Sequence, residues 1–124
     1  MGDYVLVWDE TDVLAVLEAE PEVEVDGIWH KYTVTKGSIT LALTIYQYDG
    51  DVRIELFSEE SERALFSMLL IDCAGVARKY ERSQEYLEFA PAKCFGSNRY
   101  DGESSIPYGV RVSVKPSVNV SLYG

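Results

Sequence analysis

The chain of 124 residues is short of most groups that catalysis and cofactor binding require. It has one histidine, His30, and two cysteines, Cys73 and Cys94, in neither a CxxC nor any other metal-type spacing. That scarcity argues against a zinc centre. No Cys or Ser has an identifiable partner base, so nucleophilic catalysis has no support either. No Gly-rich loop follows a strand and opens a helix, as a phosphate cradle requires. The Asp-Gly-Asp of residues 49–51 and the Asp-Gly-Glu of 101–103 offer oxygens, but neither fits a calcium loop and both read as turns. Catalytic residues, a metal and a cofactor are therefore not expected. Long apolar runs are missing too. MLLI at residues 68–71, like the five-residue runs at 4–8 and 13–17, falls far short of the ~20 residues a membrane span needs. The opening MGDYVLVW lacks the basic and apolar regions of a signal peptide. These absences predict a cytoplasmic protein with reduced thiols and no membrane contact.

One further absence is local. Residues 1–30 contain no Lys or Arg but nine acids: Asp3, Asp9, Glu10, Asp12, Glu18, Glu20, Glu22, Glu24 and Asp26. The remaining 94 residues hold twelve acids and eleven bases, so nearly all of the net charge of −10 lies in the first quarter of the chain. Such a field repels nucleic acid and anionic lipid and draws in cationic partners. Its bland alternative is a solvated, solubilising face.

What is present describes a mainly β domain. The length and an apolar fraction of 47% suit one domain over residues 1–124 with a single core. YVLVW at residues 4–8 reads as a short strand or extended entry. Residues 9–19 read as a helix, with Asp9 as cap, acids in the first turn, and Val13, Leu14, Val16 and Leu17 as its apolar side. Trp8 and Val13 are placed for a hydrophobic staple. Glu20-Pro21 should stop the helix. From Glu22 the period becomes two, with turn signals at Asp26-Gly27, Lys36-Gly37 and Asp49-Gly50. Two-residue hairpins at all three set Val23 opposite His30, Val34 opposite Ile39, Tyr32 opposite Leu41, His30 opposite Leu43, Ile45 opposite Ile54 and Leu43 opposite Leu56. One face then collects Val23, Val25, Ile28, Tyr32, Val34, Ile39, Leu41, Leu43, Ile45, Ile54 and Leu56. The other collects mostly Glu, Lys, Thr and Arg. Because a one-residue slip would scramble this separation, the agreement predicts a four-stranded antiparallel meander over residues 22–57.

Further along, residues 64–72 read as a buried strand bending at Gly75 into another, in preference to a helix, because Asp72 and Gly75 interrupt the helical apolar side. Residues 86–89 form a further short strand. Residues 94–105 are turn formers throughout, a long loop of the kind that carries function. Alternation of Val and Leu with polar residues from 110 to 122 fits a hairpin around Lys115-Pro116-Ser117, pairing Val112 with Val120, or one bent edge strand. The expected architecture is a β-sandwich or partly open barrel with one short N-terminal helix.

Three classes of site compete. In the first, Asp9, Glu10, Asp12, Glu18, Glu20, Glu22, Glu24 and Asp26 bind a cationic protein, with Trp29 as buried anchor. In the second, His30, Tyr32 and the 94–105 loop, with Arg99 and Tyr100, line a small-ligand cavity; the bland reading of His30 is a core or rim residue. In the third, scattered carboxylates such as Glu55, Glu85 and Glu88 do acid–base chemistry, although carboxylates on strands are commonplace. Cys73 and Cys94 read as buried thiols.

A small acidic domain with these features resembles the immunity proteins of bacterial polymorphic-toxin and contact-dependent growth inhibition systems. The resemblance rests on the whole-chain size, the acids between residues 3 and 26 and the sheet-rich remainder, a profile and not a motif. It implies a non-catalytic inhibitor that binds a cognate toxin domain, often a nuclease, and covers its basic groove with acidic side chains.

Overall fold

The computed structural model describes residues 6–91 and 109–123. Asp9 caps helix α1 (Glu10–Leu17) from extended backbone, its carboxylate accepting from the Thr11 N–H at 2.8 Å. Glu10 and Asp12 occupy the first turn, where the helix dipole favours negative charge. Val13, Val16 and Leu17 are buried, whereas Leu14 stands largely in solvent. The helix ends at Leu17, ahead of the stop expected from Pro21. Glu18 turns left-handed (φ 56°) and its N–H donates to Leu14 O at 2.8 Å, so a left-handed cap closes the helix before proline can.

The meander forms as expected. Strands β1 (Glu22–Val23), β2 (Trp29–Lys36), β3 (Ile39–Tyr46) and β4 (Asp51–Ser58) lie side by side, and β5 (Phe66–Leu70) extends the sheet to five in the order β1-β2-β3-β4-β5. Around the first turn Val23 pairs with His30 and Glu22 with Lys31, as the Asp26-Gly27 signal requires. The next two registers differ from expectation. Val34 pairs with Leu41, Tyr32 with Leu43 and His30 with Ile45. Ile45 pairs with Val52 and Leu43 with Ile54. The second turn is centred on Gly37-Ser38, with Gly37 at φ 62° in the first central position, the place a type II′ turn reserves for glycine. The third is a four-residue loop, 47–50, ending in Gly50 at φ 76°. Each partner is displaced by two residues, which preserves side-chain parity, so the expected faces survive the corrected pairing. Val23, Val25 and Ile28 are exceptions: they lie at the sheet margin and turn, exposed by 47%, 96% and 42%. With β1 only two residues long, they stand open to solvent among the described residues.

Strand identity for residues 64–72 holds, but burial does not. β5 is an edge strand whose residues alternate between partly covered (Phe66, Met68, Leu70) and exposed (Ser67, Leu69). The chain then leaves the sheet at Asp72, left-handed at φ 56°, earlier than the Gly75 bend expected from sequence. Gly75 instead marks a register shift in β6 (Cys73–Glu81). β6 pairs with β7 (Gln84–Pro91), β7 with β8 (Gly109–Ser113) and β8 with β9 (Asn119–Tyr123), giving a second antiparallel sheet in the order β6-β7-β8-β9. Val112 pairs with Val120, which decides for the hairpin around residues 115–117 over a single bent strand. The entry segment touches the outer edge of this sheet: Val7 N–H donates to Ala74 O, and Val7 O accepts from the Val76 N–H at 2.9 Å.

The two sheets enclose one apolar cluster. Tyr32, Leu41, Leu43, Ile45, Val52 and Ile54 supply it from the first sheet, and Val76, Leu87, Phe89, Val110, Val112 and Val114 from the second. Val13, Val16 and Leu17 of α1 join the same cluster, and the helix contacts β6 and β7. The molecule is thus an open two-sheet sandwich and not a closed barrel. Cys73 is fully buried, as expected of a small hydrophobe. Cys94, Arg99, Tyr100 and the loop that contains them lie outside the described residues.

Candidate functional site

Alternation along β2 divides the residues singled out from sequence. His30, Tyr32 and Val34 point inward and are buried, so Trp29 and Lys31 face outward from the first sheet. The helix carboxylates and Trp29 therefore approach the surface from different sides of β2. Between them the acidic residues are put to several uses. Asp9 is the helix cap. Glu24 folds back over its own turn, its Oε1 accepting from the Asp26 N–H at 2.8 Å and the Ile28 N–H at 3.3 Å. Glu18 meets Lys115 at 3.1 Å, and the same ammonium reaches Glu85 at 3.7 Å, which also pairs with Arg78. Glu22 stands opposite Lys31 in the register. Asp12, Glu20 and Asp26 are left as carboxylates without an ion pair among the described residues. The lobe is thus less uniform than the bare count of nine acids suggests, and Lys115, 97 residues from Glu18, is a neutralising cation that sequence proximity cannot reveal.

The inward residues make a second group. His30 is buried, with its Nε2 3.5 Å from the Glu10 carboxylate and its ring edge-on to Trp8 at 5.0 Å. This fits the rim-histidine reading. Tyr32 is wholly buried, and its hydroxyl has no hydrogen-bond partner among the described residues. Burial pushes that hydroxyl up to about 12, and the negative field of Glu10 adds to the shift. Tyr32 lies at the base of a pocket of about 270 Å³ whose other walls are Glu10, Thr11, Leu14, Glu20 and Pro21.

The outer face of the second sheet carries a network that sequence reading left as commonplace. Glu88 is buried there, with Lys79 at 3.8 Å and Arg111 at 3.7 Å. Arg111 also lies 4.9 Å from the centre of the Tyr86 ring. Tyr86 and Arg111 line a polar basin of about 360 Å³ together with Arg82, Gln84, Asn119 and Ser121. Alternation in β7 and β8 brings these groups together, and with residues 92–108 between the two strands no short turn in the sequence sets their register. Glu55 sits on β4, away from Glu85 and Glu88 on β7, so the structure does not gather the three carboxylates. No cluster of three His, Cys, Asp or Glu with metal-binding geometry occurs among the described residues, and none of their helices is long and apolar enough to cross a membrane.

No family model matches the chain, and no curated protein matches it by sequence. A solved structure does match by shape. The chain is similar over 96% of its length, and 96% of the other's, to a chain of a contact-dependent growth inhibition toxin–immunity protein complex from Klebsiella pneumoniae 342, with a TM-score of 0.74. The two sequences are 11% identical. The likeness is one of fold. It places this sandwich beside a protein from the type of system that the acidic, sheet-rich profile resembles.

Proposed function

We propose that the protein is an immunity protein: a non-catalytic, cytoplasmic inhibitor that binds and neutralises a cognate toxin domain through its acidic N-terminal lobe. Shared shape with a chain of a toxin–immunity complex supports a place in such a system. The charge distribution supports the immunity side of the pair. A net charge of −10, with nine acids and no Lys or Arg in residues 1–30, is the observation that carries this reading. A surface of that sign opposes a phosphate-binding groove rich in Lys and Arg, so a nuclease is the toxin class it fits best. Asp12, Glu20, Glu22 and Asp26 supply the long-range field, while Trp29 on the outward face of β2 supplies apolar area at the margin. Asp9 and Glu24 contribute charge but are held in structural roles.

That division sets the test. Reversing Glu20, Glu22 and Asp26 to Lys leaves the helix cap and the Glu24 turn intact. Association with the toxin domain encoded beside this gene is then measured by stopped flow at several salt concentrations. The expected result is an association rate at least ~10-fold slower near ~20 mM salt, converging with the parent protein near ~1 M, where the Debye length is only ~3 Å. Equal rates at low salt would refute the acidic lobe as the docking surface.

A further inference from the structure

We infer that the turn joining β1 to β2, with Tyr48 beside it, is a rigid apolar tip that inserts into an apolar recess bordered by Lys and Arg on a partner protein. The surface is read from this chain alone; naming the partner as a toxin domain rests on the immunity reading.

The turn leaves its apolar side chains outside. The Gly27 N–H donates to Glu24 O at 2.7 Å, which closes a β-turn with Val25 at its first corner. A corner residue stands clear of both strands, and Val25 is 96% exposed, the most of any large apolar side chain among the described residues. Val23 and Ile28 flank it and are themselves open to solvent. Tyr48, 65% exposed, comes in from the β3–β4 loop, its hydroxyl 3.8 Å from where a Cβ on Gly27 would stand. Single exposed apolar residues are ordinary, but four gathered at one end of a sheet mark a contact surface.

The tip is held in shape before it meets anything. Glu24 Oε1 accepts from the Asp26 and Ile28 N–H groups, and the Glu24 N–H donates to Trp29 O at 3.1 Å. Gln47 Nε2 donates to Gly27 O, which ties the turn to a loop 20 residues away in sequence. Gly27, at φ 72°, supplies the left-handed residue that the turn needs. A preformed turn loses little conformational freedom on docking, so its apolar area goes into affinity.

Charge selects the occupant. Glu22, Asp26 and Asp49 stand exposed around the tip, and Lys31, opposite Glu22, is the cation that register places beside it. These carboxylates repel an anionic bilayer, and they repel the same tip on a second copy. A partner whose apolar recess has a Lys- and Arg-rich border meets both parts at once.

The test is dissociation. Val25→Ser with Tyr48→Ser removes apolar area from exposed positions, so the fold and its melting temperature should be unchanged. Binding to the toxin domain encoded beside this gene is followed by stopped flow at ~0.5 M salt, where steering is screened. The variant is expected to dissociate at least ~10-fold faster with an unchanged association rate, the reverse of the Lys reversals, which act on association. An unchanged dissociation rate would overturn the tip as an anchor. A short amphipathic peptide of Leu and Lys, followed by amide NMR shifts, probes the same surface without the toxin. Shifts centred on residues 23–28 and 48, absent with oligolysine and at least ~10-fold weaker in affinity for the serine variant, are expected. Equal shifts with oligolysine would reduce the tip to diffuse electrostatics and overturn the proposal. Dimerisation in sedimentation equilibrium, or binding to phosphatidylcholine vesicles, that is lost in the serine variant would assign the tip to another occupant and overturn it too. The two readings fail separately. Peptide binding at the tip without toxin binding removes the immunity assignment and leaves the surface. Toxin binding that responds to the Lys reversals but not to the serine variant removes the surface and leaves the assignment. Silence from both peptide and toxin removes both.

Discussion

Tyr32 concentrates more physical consequence than any other residue in the chain. It is the largest of the fully buried side chains, it sits in the centre of the meander, and its hydroxyl lies in the field of Glu10. The ring contributes burial on the order of 2–3 kcal/mol, whereas the hydroxyl makes no hydrogen bond among the described residues to offset its desolvation. Phenylalanine at this position would retain the first term and discard the second. The titration of the group gives a sharper expectation. Its folded value stands at about 12 against an ordinary 10, so the unfolded chain loses the proton first as pH rises. Above pH ~10 the unfolded state binds fewer protons than the folded one, and stability must fall until pH ~12 is passed. The full loss for a shift of this size is about 3 kcal/mol. Tyr86 is raised as well, chiefly by burial and against the pull of Arg111, so it adds a loss in the same direction. Urea unfolding at pH 9 and pH 11.5 should therefore show a marked alkaline loss in the parent protein and a clearly smaller one in Tyr32→Phe. An identical loss in both proteins would show that Tyr32 ionises as freely folded as unfolded.

At the scale of elements, turns decide what could be read and what could not. Gly27, Gly37 and Gly50 all have positive φ, and each is announced in sequence by a neighbouring Asp or Lys between alternating strands. Those signals located the meander, and the faces followed because both register errors were even. The hairpin joining β6 and β7 carries no such signal. Its central residues are Arg82 and Ser83, at φ 53° and 64°, between Glu81 and its partner Gln84. Two positive φ angles make a type I′ turn, which ordinarily takes Asn-Gly; L side chains there cost ~1–2 kcal/mol each. Nothing in "ERSQ" reports that conformation, which is why residues 64–89 were legible as strands while the β6–β7 hairpin was not. The Glu88–Arg111 network was hidden for a different reason: β7 and β8 are joined through residues 92–108, with no short turn to set their register. Ser83→Gly should raise stability by about 0.5–1 kcal/mol, the relieved strain less the added chain entropy of glycine. Gly37→Ala is its mirror image. A Cβ there meets nothing within 4 Å, so the expected loss of about 1 kcal/mol comes from backbone strain alone. Chemical denaturation of the two variants checks both signs together; a Ser83→Gly variant no more stable than its parent would show that the turn is not strained.

At the scale of the whole molecule, the fold takes a charge gradient written along the chain and bends it around one end of a sandwich. Residues 9–26, from the cap of α1 to the turn after β1, hold eight of the 21 acids and no Lys or Arg, while Arg78, Lys79 and Arg111 belong to the second sheet. The acidic end should be under electrostatic strain when no partner is present. Two carboxylates ~10 Å apart in water repel by about 0.4 kcal/mol, and a Debye length of ~10 Å near 0.1 M salt removes more than half of that. Many such pairs act among Glu10, Asp12, Glu20, Glu22 and Asp26. The exposed pair Glu18–Lys115 works in the other direction, but a surface ion pair contributes at most about 1 kcal/mol. Repulsion therefore outweighs attraction, and adding NaCl from ~10 mM to ~0.5 M should raise the melting temperature by several degrees. Glu20→Lys with Asp26→Lys should raise it at low salt and flatten the dependence. A melting temperature that falls with salt would mean that local pairs such as Glu18–Lys115 already neutralise the lobe, leaving it little field with which to steer a cationic partner. A rising one leaves free energy stored in the unbound protein, and a Lys- and Arg-rich partner is the ligand that releases it: removing this repulsion on binding favours the complex by the same amount that it destabilises the free chain.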